Sequence, residues 1–148
     1  IIEIIIIISI IGILSAITIP ILSDFKKSQS LKNTTENVIS ILNKAKADSN
    51  SSLDSSNYGV HFETNKAVYF KGITYSSSSS SNKEVVFDSG IIIPASLGLS
   101  LSGGGSNIIF PKLTGDVVGY GSIKLQQSSD VSSFKTITVS KLGVIETQ

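Results

Sequence analysis

A net charge of +1 on 148 residues, with twelve lysines and no arginine, gives this chain neither the basic footprint nor the guanidinium forks used in polyanion recognition. Cysteine is absent, which excludes disulfides and thiolate metal centres. The 126 residues after a strongly apolar opening stretch are enough for one domain with a modest core of its own.

That stretch is residues 1–22, IIEIIIIISIIGILSAITIPIL. As a helix it extends about 33 Å, close to the hydrocarbon thickness of a bilayer. Its apolar residues lie on every side, so the helix must be buried in a membrane or inside an assembly. No basic segment precedes the run and no small-residue cleavage site ends a shorter one, so an ordinary secretory signal is not expected. Glu3 is the only charge in it. A carboxylate there is penalised unless it is paired, and the cationic N-terminus of a neighbouring subunit would neutralise it and set axial register. Gly12 and Pro20 punctuate the run, and proline removes a helical hydrogen bond, so a kink or local melting is expected between them.

From Leu31 onward the pattern is amphipathic, with Leu31, Val38, Ile41, Leu42 and Ala45 on one face and Lys32, Glu36, Asn43, Lys44 and Lys46 between them. The polar cluster Asp48-Ser49-Asn50-Ser51-Ser52 then stops the helix. The chain thus divides into an apolar helix at 1–23, the amphipathic half of that helix at 24–54, and a β-rich head at 55–148.

The period changes to two from Tyr58. Val60–Glu63 and Lys66–Phe70 flank Thr64-Asn65 as a hairpin, with Ile73-Thr74-Tyr75 extending its second strand. Six serines at 76–81 form a flexible polar loop. Further strands are expected at 84–87, 90–94, 97–101, 108–110, 123–126, 134–140 and 144–145, with turns at the intervening Gly, Ser and Asp clusters. One long helix followed by seven or eight short strands predicts an α+β fold, the amphipathic half packed on an antiparallel sheet.

No set of residues carries a reaction, so neither an enzyme nor a cofactor is expected. His61 is the single histidine and sits in a strand pattern without a catalytic partner. Asp48, Asp54, Asp88, Asp116 and Asp130 do not follow the spacing of a calcium loop. The glycines at 103–105 lack the lysine and following helix of a phosphate loop. Asn33-Thr34-Thr35 and Asn50-Ser51-Ser52 match the N-glycosylation pattern, making Asn33 and Asn50 candidate sites.

Glu3 in its apolar run, followed by Ile10-Ile11-Gly12-Ile13-Leu14-Ser15-Ala16-Ile17 and Ile19-Pro20, resembles the N-terminal helix of type IV pilins and type II secretion pseudopilins. In that family the glutamate is typically the fifth mature residue. Only Ile1-Ile2 precede it here, so two family residues and the leader removed by prepilin peptidase are expected to be missing from this sequence. The later strands, with Thr136-Ile137-Thr138-Val139-Ser140 and Leu142–Ile145, are similar to the β-rich head of minor pseudopilins and minor pilins.

The resemblance implies a structural subunit of a helical homopolymer, its apolar helices forming the core and its heads the outer wall. It implies the cytoplasmic membrane as location before assembly and a surface filament afterwards, with prepilin peptidase and inner-membrane assembly machinery as partners. Glu3 would pair with a neighbour's N-terminus, and the segment between Gly12 and Pro20 would partly unwind. The alternative is a low-copy minor pilin or pseudopilin that primes assembly or binds a ligand such as DNA. Lys66, Lys71 and Lys83 are the nearest candidates for DNA contact, although nucleic acid is not an expected partner.

Overall fold

The computed structural model of the chain describes residues 2–114 and 116–148, and of residues 16–21 only their place in a helix. That helix, α1, runs uninterrupted over Ile2–Asn50. The break expected between Gly12 and Pro20 is not displayed, and the Pro20 side chain lies outside the described residues. The helix ends as the polar cluster predicts, with Ser51 and Ser52 donating back to the carbonyls of Ala47 and Ser49. The chain then reverses through a short 3₁₀ turn, Leu53–Ser55, whose Asp54 and Ser55 have positive φ.

Nine strands follow among the described residues, in two antiparallel sheets. The first has the order β3-β2-β1-β6, formed by β1 (Tyr58–Phe62), β2 (Lys66–Lys71), β3 (Lys83–Val86) and β6 (Asn107–Phe110). The second has the order β4-β7-β8-β9, formed by β4 (Ile91–Ile92), β7 (Gly121–Gln127), β8 (Asp130–Val139) and β9 (Ile145–Thr147). Strand β5 (Leu99–Leu101) also pairs with β7, so β4 and β5 follow one another along the same strand.

The C-terminal half of α1 packs against both sheets. Its expected face is the buried one: Leu31, Val38, Ile41, Leu42 and Ala45 join a core with Val60, Phe62 and Ile108 of the first sheet and Ile123, Leu125 and Ile137 of the second. Thr34, Thr35 and Ser49 lie in the same stripe and are buried too. Each hydroxyl is bonded, which removes the penalty of burying it. Thr35 donates to the Leu31 carbonyl, and Thr34 accepts from the Asp88 amide.

The hairpin of β1 and β2 forms as expected, but residues 73–75 do not extend it. Gly72 has φ of +111°, a conformation open to glycine, and turns the chain out of the strand. Tyr75 then stacks on His61 at 3.9 Å and meets Phe70 edge-on at 5.7 Å. Phe70, paired with Gly59 across the hairpin, occupies the space a side chain at 59 would need: a Cβ there would lie 2.7 Å from its ring. Residues 97–101 alternate in sequence, yet only Leu99–Leu101 forms a strand. Leu97 has φ of +64°, and Gly98 packs directly on the Pro94 backbone.

Candidate functional site

The N-terminal half of α1 contributes none of its described side chains to the core of the head. Between Ile2 and Leu14, ten isoleucine and leucine side chains are 52–72% exposed, and Leu22 and Phe25 continue the apolar surface. None of them joins the core, whose first helical member is Leu31. This is far more contiguous apolar surface than a soluble monomer presents. Full burial of an isoleucine or leucine is worth about 1.5–3 kcal/mol, so covering this surface yields on the order of 10 kcal/mol. That is comparable to the whole stability of a typical domain. Among the described residues, no helix is long and apolar enough to cross a membrane.

Glu3 lies in the first turn, where a carboxylate complements the helix dipole. It is exposed, and nothing among the described residues pairs with it. Two turns on, the Ser9 hydroxyl donates to the Ile5 carbonyl at 2.7 Å. A Cβ at Gly12 would meet nothing within 4 Å among the described residues.

The first cations along the helix are Lys26 and Lys27. Lys27 is 3.7 Å from Asp24 one turn back, whereas no carboxylate among the described residues pairs with Lys26.

Charges on the head are organised in pairs. Lys66 is 2.7 Å from Glu84 and 3.7 Å from Glu63, and Lys71 is 2.9 Å from Asp54. Two of the three lysines considered for DNA contact are therefore matched by carboxylates. Lys83 borders a cleft of about 410 Å³ between α1 and β3, which also holds Lys44 and Val86.

His61 Nδ1 lies 2.6 Å from Asn107 Oδ1, and its ring is covered by Tyr75. The aspartates are engaged separately: Asp48 with Tyr69 and Lys44, Asp54 with Lys71, and Asp130 with Ser132. Among the described residues, no group of three or more His, Asp or Glu could hold a metal ion.

The two candidate glycosylation sites differ. Asn33 is exposed, but the Thr35 hydroxyl of its motif is buried and donated to the Leu31 carbonyl. Asn50 and its neighbours Ser51 and Ser52 are not buried.

Sequence reasoning missed Ser49, placed among the solvated helix stops. Its side chain is fully buried, where Oγ donates to the Phe110 carbonyl at 2.6 Å and accepts from the Tyr58 amide at 2.9 Å. It ties the end of α1 to β1 and β6, and so sets the direction in which the helix leaves the head. Its spacing four residues after Ala45, on the buried face, is the signal that could have found it. Nearby, Tyr69 donates to Asp48 at 2.7 Å and Lys44 lies 3.1 Å from the same carboxylate. Burial and the Asp48 carboxylate push the Tyr69 phenol well above its usual value. Burial pushes Asp48 up as well, but the Tyr69 hydroxyl and Lys44 outweigh it and hold Asp48 below the ordinary carboxylate range.

These features define an α+β head carrying a long helix whose outer half exposes a row of apolar side chains. Comparison with family models, with curated proteins and with solved structures finds no match to this chain.

Proposed function

We infer that the protein is a structural subunit of a helical filament, of the type IV pilus kind, assembled through the apolar half of α1. The observation that carries this reading is the division of a single helix. Leu31, Val38, Ile41, Leu42 and Ala45 are sealed against the head, while the apolar side chains from Ile2 to Leu14 stay exposed. Copies of the same helix are the natural cover, because their surface is apolar all round and of equal length. The similarity of residues 1–22 to the pilin helix supports the same reading. A bilayer holds this segment before assembly, as the hydropathy of residues 1–22 suggests.

Glu3 then discriminates between the two environments. At the edge of a bilayer its carboxylate reaches water, whereas in a filament core it requires a cation. Gly12 and Pro20 let the helix between them unwind in the filament, since proline offers no amide hydrogen and glycine no side-chain support. The matched lysines of the head favour a wall subunit over a DNA-binding minor component.

The test is electron microscopy of filaments sheared from cells expressing the chain, beside membrane fractionation. The Glu3→Ala variant is expected to stay in the membrane fraction and to give no filaments. Normal filaments from it would refute the role of Glu3. Absence of filaments from the unaltered chain would refute the filament reading itself.

A further inference from the structure

We propose that Phe25 of one copy fills the cleft between α1 and β3 of a neighbouring copy, joining heads flank to flank in the assembled filament. The contact rests on the filament reading and involves only residues beyond Pro20. It is therefore independent of unwinding between Gly12 and Pro20, and of the pairing of Glu3 with a neighbour's N-terminus.

Phe25 is the only aromatic residue of α1 and, at 64%, the most exposed aromatic side chain among the described residues. It takes no part in the core, whose first helical member is Leu31. The next most exposed ring, Phe134, already has Lys124 Nζ 4.1 Å from its centre. No ring or cation among the described residues meets Phe25 in this way.

The cleft, about 410 Å³, suits an aromatic occupant. Ile41, Tyr69 and Val85 form its apolar floor, while Lys44, Lys83 and the exposed Val86 stand at its rim. Lys44 Nζ already lies 5.6 Å from the centre of the Tyr69 ring, and Lys83 makes no ion pair among the described residues. Ammonium groups around an apolar floor favour an aromatic ring over an aliphatic chain, because the ring buries apolar area and also attracts the cations. That preference separates Phe25 from the exposed isoleucines and leucines of residues 2–22, a stretch without an aromatic. The charges agree as well: Asp24, its side chain 81% exposed, accompanies Phe25 towards the cationic rim.

Phe25 and the cleft lie on opposite flanks of the helix. At the helical period Phe25 aligns with Lys32 and Glu36, which border a smaller cleft beside Lys135 and Thr147 of β8 and β9. Asn37, Ser40 and Lys44 open instead towards β3. Contact between opposite flanks of identical copies is heterologous, and repeated without closure it generates a helical filament. With the helices parallel, Phe25 comes level with Ser40 at an axial offset of about 22 Å, fifteen residues of unbroken helix at 1.5 Å each.

The experiment reads filament yield, membrane fraction and head unfolding in the full chain. Phe25→Ala is expected to lower yield by about tenfold or more, as for an aromatic anchor, and Phe25→Leu by about threefold, while Phe25→Tyr retains it. Ser40→Trp, which fills the cleft from its own side, is expected to lower yield as much as Phe25→Ala. Membrane fraction and unfolding midpoint are expected to stay unchanged in all four. Undiminished yield from Phe25→Ala, Phe25→Leu or Ser40→Trp overturns the contact, as does a loss explained by departure from the membrane fraction. A benzophenone-bearing phenylalanine analogue at position 25 keeps the ring and is expected to photocross-link to residues 37–44 or 83–86 of another copy. Cross-links only to lipid or to residues 2–22 overturn the contact. A map of unaltered filaments decides it without any variant: Phe25 against Ile41, Tyr69 and Val85 of a neighbour is expected, and Phe25 elsewhere overturns the contact while the filament reading stands. Absence of filaments from the unaltered chain overturns both.

Discussion

Replacing Ser49 by alanine removes one oxygen and strands two backbone groups. Ser49 Oγ accepts from the Tyr58 amide at 2.9 Å and donates to the Phe110 carbonyl at 2.6 Å, at a site with no solvent exposure. Tyr58 and Phe110 face one another in the β1–β6 ladder, so the loss falls where the helix end meets the first sheet. A buried backbone group deprived of its partner costs about 1–3 kcal/mol, and two of them cost about 2–6 kcal/mol together. Ser51→Ala is the matched control: Ser51 is exposed and donates at 3.1 Å to the Asp48 carbonyl, so its change is expected to stay within about 0.5 kcal/mol. Urea unfolding of the full chain in detergent, followed by far-ultraviolet circular dichroism, measures both from the shift in midpoint at constant slope. A Ser49→Ala loss no larger than that of Ser51→Ala would refute the claim that this hydroxyl joins α1 to the head.

Leu42→Ala is expected to destabilise the head by about 2–5 kcal/mol, because a fully buried leucine leaves a cavity. Ile10→Ala is expected to leave unfolding of the head unchanged while lowering filament yield, which separates fold from assembly on one helix. Gly59→Ala places a methyl 2.7 Å from the Phe70 ring and 2.8 Å from the Ile108 carbonyl, and overpacking of this kind costs about 1–3 kcal/mol in the same unfolding assay. Asp48 has a folded pKa below its unfolded value near 3.9, so its contribution is complete above that value and is lost as pH falls through the folded pKa. Asp48→Asn is therefore expected to be less stable than the unaltered chain at pH 7, with the gap closing below about pH 4; a gap independent of pH would refute the assignment.

The helix face and the first hairpin are legible in the sequence because their signals are local. Leu31, Val38, Ile41, Leu42 and Ala45 repeat at the helical period, and Tyr58–Lys71 alternates around a two-residue polar turn. What periodicity cannot supply is long-range pairing. The split into two sheets depends on β7 receiving both β4 and β5 on one edge and β8 on the other, with partners up to 36 residues apart, as for Ile91 and Gln127. Polar core residues were hidden for a different reason. Thr34, Thr35 and Ser49 read as solvated until the carbonyls and amides that bond them are placed. The strand expected at 73–75 fails through one residue, since Gly72 turns the chain and frees Tyr75 to cover His61. For the candidate site the position is reversed. The exposed surface from Ile2 to Leu14 and the solitary Glu3 follow directly from composition, and none of those described apolar side chains joins the core of the head.

In the proposed filament the two halves of α1 bury apolar surface against different partners, and this would determine how each half can vary. A residue such as Val38 touches both sheets' core, so its volume and shape are constrained by close packing within one chain. A residue such as Ile7 is 56% exposed and does not join that core; in the proposed filament it would meet other copies, where any aliphatic side chain of similar bulk buries a similar area. Isoleucine repeated from Ile4 to Ile8 is what such tolerance permits, and it confers no register, since sliding one such helix along another changes little. Register must then come from whatever interrupts the monotony. Between Ile1 and Leu22 the single charge is Glu3, so in the proposed filament the least apolar residue of this segment is the one able to specify how the copies align.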